Sequence, residues 1–153
     1  MDLGPLLNKD YKEMLRIFAK HRVRYLVIGA YAVIYYTEPR YTKDFDIWVD
    51  HSLANARRVY AAVAEFGAPV AKHGPEDFAG AYGIYQIGVE PVRIDILSNV
   101  EGVRFSSAWE RRKTVRIENF RVHIISKQDL IRAKRSAGRR RDLDDLDWLT
   151  EKV

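Results

Sequence analysis

Three acidic residues carry the strongest chemical signal in this chain. Asp44 and Asp46 alternate within Thr42-Lys43-Asp44-Phe45-Asp46-Ile47-Trp48-Val49-Asp50, and Asp95 lies in a second apolar run, Val92-Arg93-Ile94-Asp95-Ile96-Leu97. A strand sends alternate side chains to one face, so Asp44 and Asp46 point the same way while Phe45 turns into the core. Carboxylates held that close repel one another unless a cation lies between them. Three of them converging from neighbouring strands suit Mg2+, with Mn2+ as a substitute, because such hard ions take oxygen ligands and work with phosphates. Arg93 gives Asp95 a plainer use, since a guanidinium on the same strand face neutralises it directly. Asp50 shares the parity of the first two acids, but at its strand's end it reads as a turn residue or helix cap.

Two further segments bear on anions. Tyr25-Leu26-Val27-Ile28 is a short apolar strand that runs into Gly29-Ala30, where a helix opens. Bare N–H groups at a helix N-terminus make an anion site fitted to a triphosphate tail, although glycine at such a junction also serves a simple tight turn. The second segment is Lys134-Arg135-Ser136-Ala137-Gly138-Arg139-Arg140-Arg141-Asp142. It either clamps phosphates or forms a solvated, basic helix C-terminus of the kind the helix dipole favours.

The elements that must position these residues follow from local patterning. Apolar residues at helical spacing predict an amphipathic helix over 8–21, and Tyr25 to Ile28 a buried strand. A helix from Ala30 to Tyr36 is broken by Glu38-Pro39-Arg40. Phe45 to Val49 forms the next strand, and Ser52 caps a helix that Gly67 stops after Phe66. Lys72 to Gly80 reads as a polar loop. Gly83 to Val89 and Val92 to Leu97 read as strands joined by a turn at Glu90-Pro91. One or two helical turns span Phe105 to Arg111. Thr114 to Ile117 and Val122 to Ile125 form a hairpin turning near Glu118-Asn119. Ser126, with Asp129 placed as in a capping box, starts a helix over 127–137, Gly138 interrupts it, and a last helix covers 142–149. The order predicts an α/β domain, a small mixed β-sheet flanked by helices with helices at the C-terminus.

At 153 residues, 47% hydrophobic and 31% charged, the chain builds one domain over 1–153 with a real core. No apolar run reaches transmembrane length, and residues 1–5 lack the features of a secretory leader. The absence of cysteine excludes disulfides and thiolate chemistry. A cytoplasmic protein without membrane contact is the expectation. The net charge of +5 permits a polyanionic partner without demanding one. Basic residues cluster at Arg57-Arg58, Arg111-Arg112-Lys113 and 132–141, and the first two clusters read as solvated surface. The four histidines are scattered and make no competing metal site.

Taken together, Val27-Ile28-Gly29-Ala30-Tyr31-Ala32, Arg40 to Ile47, Arg93 to Leu97 and Asp129-Leu130-Ile131 with Lys134, Arg139, Asp142 and Asp145 resemble the nucleotidyltransferase family of the DNA polymerase β superfamily. Within it the chain is most similar to AbiEii-type proteins, many of them found in toxin–antitoxin or phage-defence pairs. The resemblance implies a nucleotidyltransferase fold and a Mg2+-dependent enzyme. That enzyme moves a nucleoside monophosphate from an NTP to an acceptor hydroxyl on RNA, such as a tRNA end, on a protein or on a small alcohol. It implies that Asp44, Asp46 and Asp95 are the catalytic metal ligands, with Asp95 helping to deprotonate the acceptor. Gly29, Ala30, Lys43, Lys134 and Arg139 then bind nucleotide, and a partner protein from a toxin–antitoxin pair is implied as well. Ala30 departs from the family's Gly or Ser after the glycine, which leaves only backbone donors there. That departure keeps open a catalytically degenerate module that binds a nucleotide or a partner. A plain RNA-binding domain is a third reading, but Tyr and Arg are not interleaved as a single-strand platform requires.

Overall fold

Tyr25, Leu26, Val27 and Ile28 are all buried without alternation. That is the pattern of a strand covered on both faces, and β1 (Tyr25–Ile28) duly lies inside a six-stranded sheet. A computed structural model describes residues 2–80, 83–89 and 92–151. Its sheet also contains β2 (Asp44–Val49), β3 (Ile84–Ile87), β4 (Arg93–Leu97), β5 (Lys113–Ile117) and β6 (Phe120–Ile124) in the order β3-β4-β2-β1-β6-β5. β1 runs antiparallel to β2 and parallel to β6, while β2 runs parallel to β4. The expected mixed sheet is therefore present, and six helices flank it among the described residues: α1 (Lys9–Lys20), α2 (Gly29–Tyr36), α3 (Leu53–Phe66), α4 (Phe105–Glu110), α5 (Lys127–Ala137) and α6 (Arg140–Thr150). No helix is long and apolar enough to cross a membrane among the described residues.

Local chemistry sets the helix ends. Asn8 accepts a bond from the Tyr11 N–H at 2.8 Å and Ser52 from the Asn55 N–H at 3.3 Å, each covering an orphan donor of a first turn. Gly67 and Gly138 end α3 and α5 at φ +100 and +64, where a side chain would be strained. Asp50 is the turn residue expected, its carboxylate accepting from the Ser52 N–H and hydroxyl.

Several element bounds differ from the sequence reading. The loop over 72–80 contains a 3-10 turn, Pro75–Phe78, because Phe78 is buried and pins it to the core. α6 begins at Arg140 rather than Asp142, since the Asp142 carboxylate accepts from the Arg139 N–H at 3.2 Å and caps the earlier start. The strand expected from Gly83 to Val89 is confined to Ile84–Ile87, and the turn at Glu90-Pro91 lies outside the described residues.

Aromatic and polar fasteners hold the helices to the sheet. The Tyr11 ring stacks on Phe45 at 4.7 Å and meets Tyr31 edge-on at 5.6 Å, tying α1, β2 and α2 together. Ser126 caps α5 through the Asp129 N–H at 3.1 Å. The Asp129 carboxylate is fully buried and accepts a fork from Arg111 at 2.8 and 3.0 Å and a bond from Arg132 at 2.8 Å. Burial alone would raise its pKa, but hydrogen bonds from Arg111, Ser126 and Arg132 outweigh this and hold it below the usual carboxylate range. A folded pKa below the unfolded one adds stability above the unfolded value, and that stability is lost as pH falls through the folded one. Asp129→Ala is therefore expected to lower stability by about 1–3 kcal/mol at neutral pH. In urea denaturation the gap between variant and wild type should close as pH drops below about 4.

Candidate active site

The strand register brings the three acids together. Asp46 lies opposite Asp95 across the parallel β2–β4 pair, Asp44 lies opposite Arg93, and Ile28 at the end of β1 lies opposite Asp46. One carboxylate oxygen from each of Asp44, Asp46 and Asp95 falls within 4.8 Å of the others. Alternation along β2 keeps Phe45 and Ile47 wholly buried on the other face. The convergence expected from the spacing is thus observed.

Arg93 serves this group as well. Its Nε donates to Asp95 Oδ1 at 2.9 Å, and its terminal nitrogen reaches Asp95 Oδ2 at 3.0 Å and Asp44 Oδ2 at 2.8 Å. Neutralisation by Arg93 and convergence on Asp46 therefore coexist. The Asp46 carboxyl is pushed up to about 7, first by burial and then by the negative charges of Asp44 and Asp95, with the Lys134 charge opposing. An acid cluster that keeps one proton near neutral pH lacks a unit of positive charge. Its all-oxygen donor set fits a hard divalent cation.

Gly29 is indispensable to this geometry on two counts. Its φ is +66, and a Cβ added there would collide with the Asp46 carboxylate. It opens α2, whose N-cap Ile28 supplies no side-chain acceptor. The first N–H groups of the helix therefore remain available beside the acids. Ala30 contributes only a methyl group and its backbone.

These residues line one cleft of about 800 Å3, together with Lys43, Lys134 and Arg139. That volume is within the usual range for ligand pockets. The basic C-terminal segment is no free phosphate clamp at these two positions: Lys134 is largely enclosed, and Arg139 is exposed but paired. Lys134 Nζ binds Asp142 at 3.2 Å and Asp145 at 3.0 Å, and the Arg139 guanidinium binds Asp142 at 2.7 Å. Burial would raise both carboxyls, but Arg139 and Lys134 beside Asp142, and Arg40 and Lys134 beside Asp145, hold them below the usual range. Arg40 closes the network with a 2.8 Å bond to Asp145. No local pattern reveals that contact, because its partners lie 105 residues apart.

A family model described as a nucleotidyl transferase of unknown function matches residues 7–153. Among solved structures the chain resembles the lincosamide antibiotic adenylyltransferase LnuA in its lincomycin-bound form. The TM-score is 0.58 and the identity 17%, over 96% of this chain and 98% of that one. The two share a fold. No curated protein matches.

Two outcomes follow from the site's geometry. Gly29→Ala should cost roughly 1–3 kcal/mol in chemical denaturation, through left-handed strain and the collision with Asp46. Because Asp46 has a folded pKa of about 7, above its unfolded value, its ionisation destabilises the metal-free fold increasingly as pH rises toward and through 7. A metal ligand must be ionised, so Mg2+ should raise the melting temperature more at pH 8 than at pH 6. Asp46→Asn should stabilise the metal-free protein at pH 8 and erase the Mg2+ effect in the same thermal scans.

Proposed function

The chain belongs to this family of nucleotidyl transferases, and on that premise we propose that it transfers a nucleoside monophosphate from an NTP to a hydroxyl on a small molecule, with Mg2+ as cofactor. The observation that carries the reading is the acid trio set beside the uncapped start of α2 in one cleft. Asp44, Asp46 and Asp95 are the residues that would hold the metal. When bound, the ion supplies positive charge to the triphosphate and to the reacting oxygens. The backbone N–H groups at Gly29 and Ala30 orient phosphate oxygens. Lys43, Lys134 and Arg139 add positive charge along the cleft wall. The acceptor oxygen forms a bond to the α-phosphorus, the bond from that phosphorus to the pyrophosphate bridging oxygen breaks, and pyrophosphate leaves with the electron pair. The hydroxyl proton passes to Asp95, which requires Arg93 to release that carboxylate in the loaded cleft. Positioning and charge neutralisation supply the rate, as expected for phosphoryl chemistry.

A small acceptor is favoured by the balance of charge. Lys134, Arg139 and Arg40 are each tied to Asp142 or Asp145, so much of the cleft's positive charge is already balanced by acids, which weakens its pull on a long polyanion. The lincomycin bound to the solved neighbour also points this way. The likeness to AbiEii-type proteins adds RNA or protein as acceptor and a toxin–antitoxin partner, and one assay separates these cases. A second reading rests on Ala30 and on the Arg93 fork across Asp44 and Asp95: a module that binds metal-dependent nucleotide without transfer.

With Mg2+ and α-labelled NTPs, label is expected on a hydroxylated small molecule in a mixed panel, and Asp46→Ala should reduce it to background while the circular dichroism spectrum is kept. Label on RNA or protein would reassign the acceptor. Nucleotide binding with no label on any acceptor would establish the module instead.

A further inference from the structure

A second cavity, of about 560 Å3, lies at the opening end of β1, whereas Gly29 and the acids lie beyond its other end. Its rim carries Arg22, Arg24, Arg58 and Arg121, and no acidic residue lines it. None of the four makes an ion pair among the described residues, in contrast to the network around Lys134 and Arg139. They come from separate places: the α1–β1 connection, α3 and β6. All four are exposed, so water screens their mutual repulsion, and gathered around one hollow they present a concentrated positive field to an anion.

The walls reinforce this. Trp109 lies under the Arg112 guanidinium at 3.8 Å and near that of Arg24 at 5.6 Å, with the His123 ring 5.0 Å away. Burial, and after it the charges of Arg112 and Arg121, push the His123 imidazole down to about 4, so the ring is neutral at pH 7 and adds no charge of its own to the wall. Arg22 occupies a position with φ +57, directly after α1, where its N–H bonds Ala19 O and the Val23 N–H bonds Phe18 O. Glycine is the unstrained choice in that motif. Arginine here adopts a left-handed backbone that glycine takes with less strain.

We infer that this hollow is a second ligand site, built for a compact polyphosphate anion such as the phosphate tail of a nucleotide, and separate from the acid-lined cleft. Guanidinium forks match phosphate oxygens, and converging on a concavity from several segments they fit a compact anion better than an extended backbone.

The test is calorimetric titration of the full chain with sodium tripolyphosphate in excess EDTA, which removes metal-assisted binding at the acids. Saturable one-site binding is expected, with the His123 ring resonances moving on addition. Arg58→Glu with Arg121→Glu should weaken binding at least tenfold, and Arg135→Glu, exposed on α5 and lining neither cavity, should leave it unchanged. If the double variant does not fold, Arg121→Gln and the His123 resonances of the wild type carry the test. Tighter binding of ATP than of tripolyphosphate would identify a nucleotide as the source of the anion. Equal binding of the two would identify the free polyphosphate. Absence of binding, binding indifferent to the arginine variants, or binding of an RNA oligonucleotide but not of tripolyphosphate would overturn the inference.

Discussion

Mutual repulsion among Asp44, Asp46 and Asp95 is the constraint around which the rest of this fold is arranged. Parallel pairing of β2 with β4 sets Asp46 directly beside Asp95, and like charges so placed oppose folding. Several features near them answer that repulsion. Arg93 spans Asp44 and Asp95, the start of α2 turns its positive dipole end toward the acids, and Lys134 adds charge from α5. Gly29 is the hinge of the arrangement, since only a residue without a side chain lets β1 turn into α2 against the Asp46 carboxylate.

The C-terminal helices hold the other half of the balance. Asp142 and Asp145 on α6 bind Lys134 on α5, and Asp145 also takes Arg40 from the segment ahead of β2. These contacts fix α5 and α6 to each other and to the mouth of the cleft. They also leave the cleft mixed in sign, although the chain as a whole carries +5. Four arginines without an ion pair among the described residues surround the hollow at the far end of β1, so the two ends of the sheet differ in the charge they present.

Short-range features were legible in the sequence. The acid-x-acid spacing fixed which faces Asp44 and Asp46 take, because strand parity is a two-residue rule. The caps at Ser52 and Ser126 and the stops at Gly67 and Gly138 were equally readable, each depending on a few neighbouring backbone groups. What escaped was long-range or ambiguous. The Arg93 fork to Asp44 needs the β2–β4 register, and the Arg40–Asp145 bond needs α6 to fold back over the cleft. Arg57-Arg58 read as solvated surface and both are exposed, but no local window shows that Arg58 shares a hollow with arginines from the α1–β1 connection and β6. Phe78 sat in a polar stretch, and only the tertiary packing shows that it is a core residue.

Asp46 shows why so unfavourable a corner would be kept. Arg93 satisfies Asp44 and Asp95 but leaves Asp46 to hold a proton near neutral pH. An apolar residue there would relieve the repulsion and stabilise the fold, so stability does not account for an acid at this position. Local frustration of this kind marks functional sites. A divalent cation resolves it where a second arginine would not, because the ion neutralises the acids while still accepting phosphate oxygens. The same deficit of positive charge that destabilises the metal-free fold thus supplies the affinity that would draw a metal, and with it a nucleotide, to the start of α2.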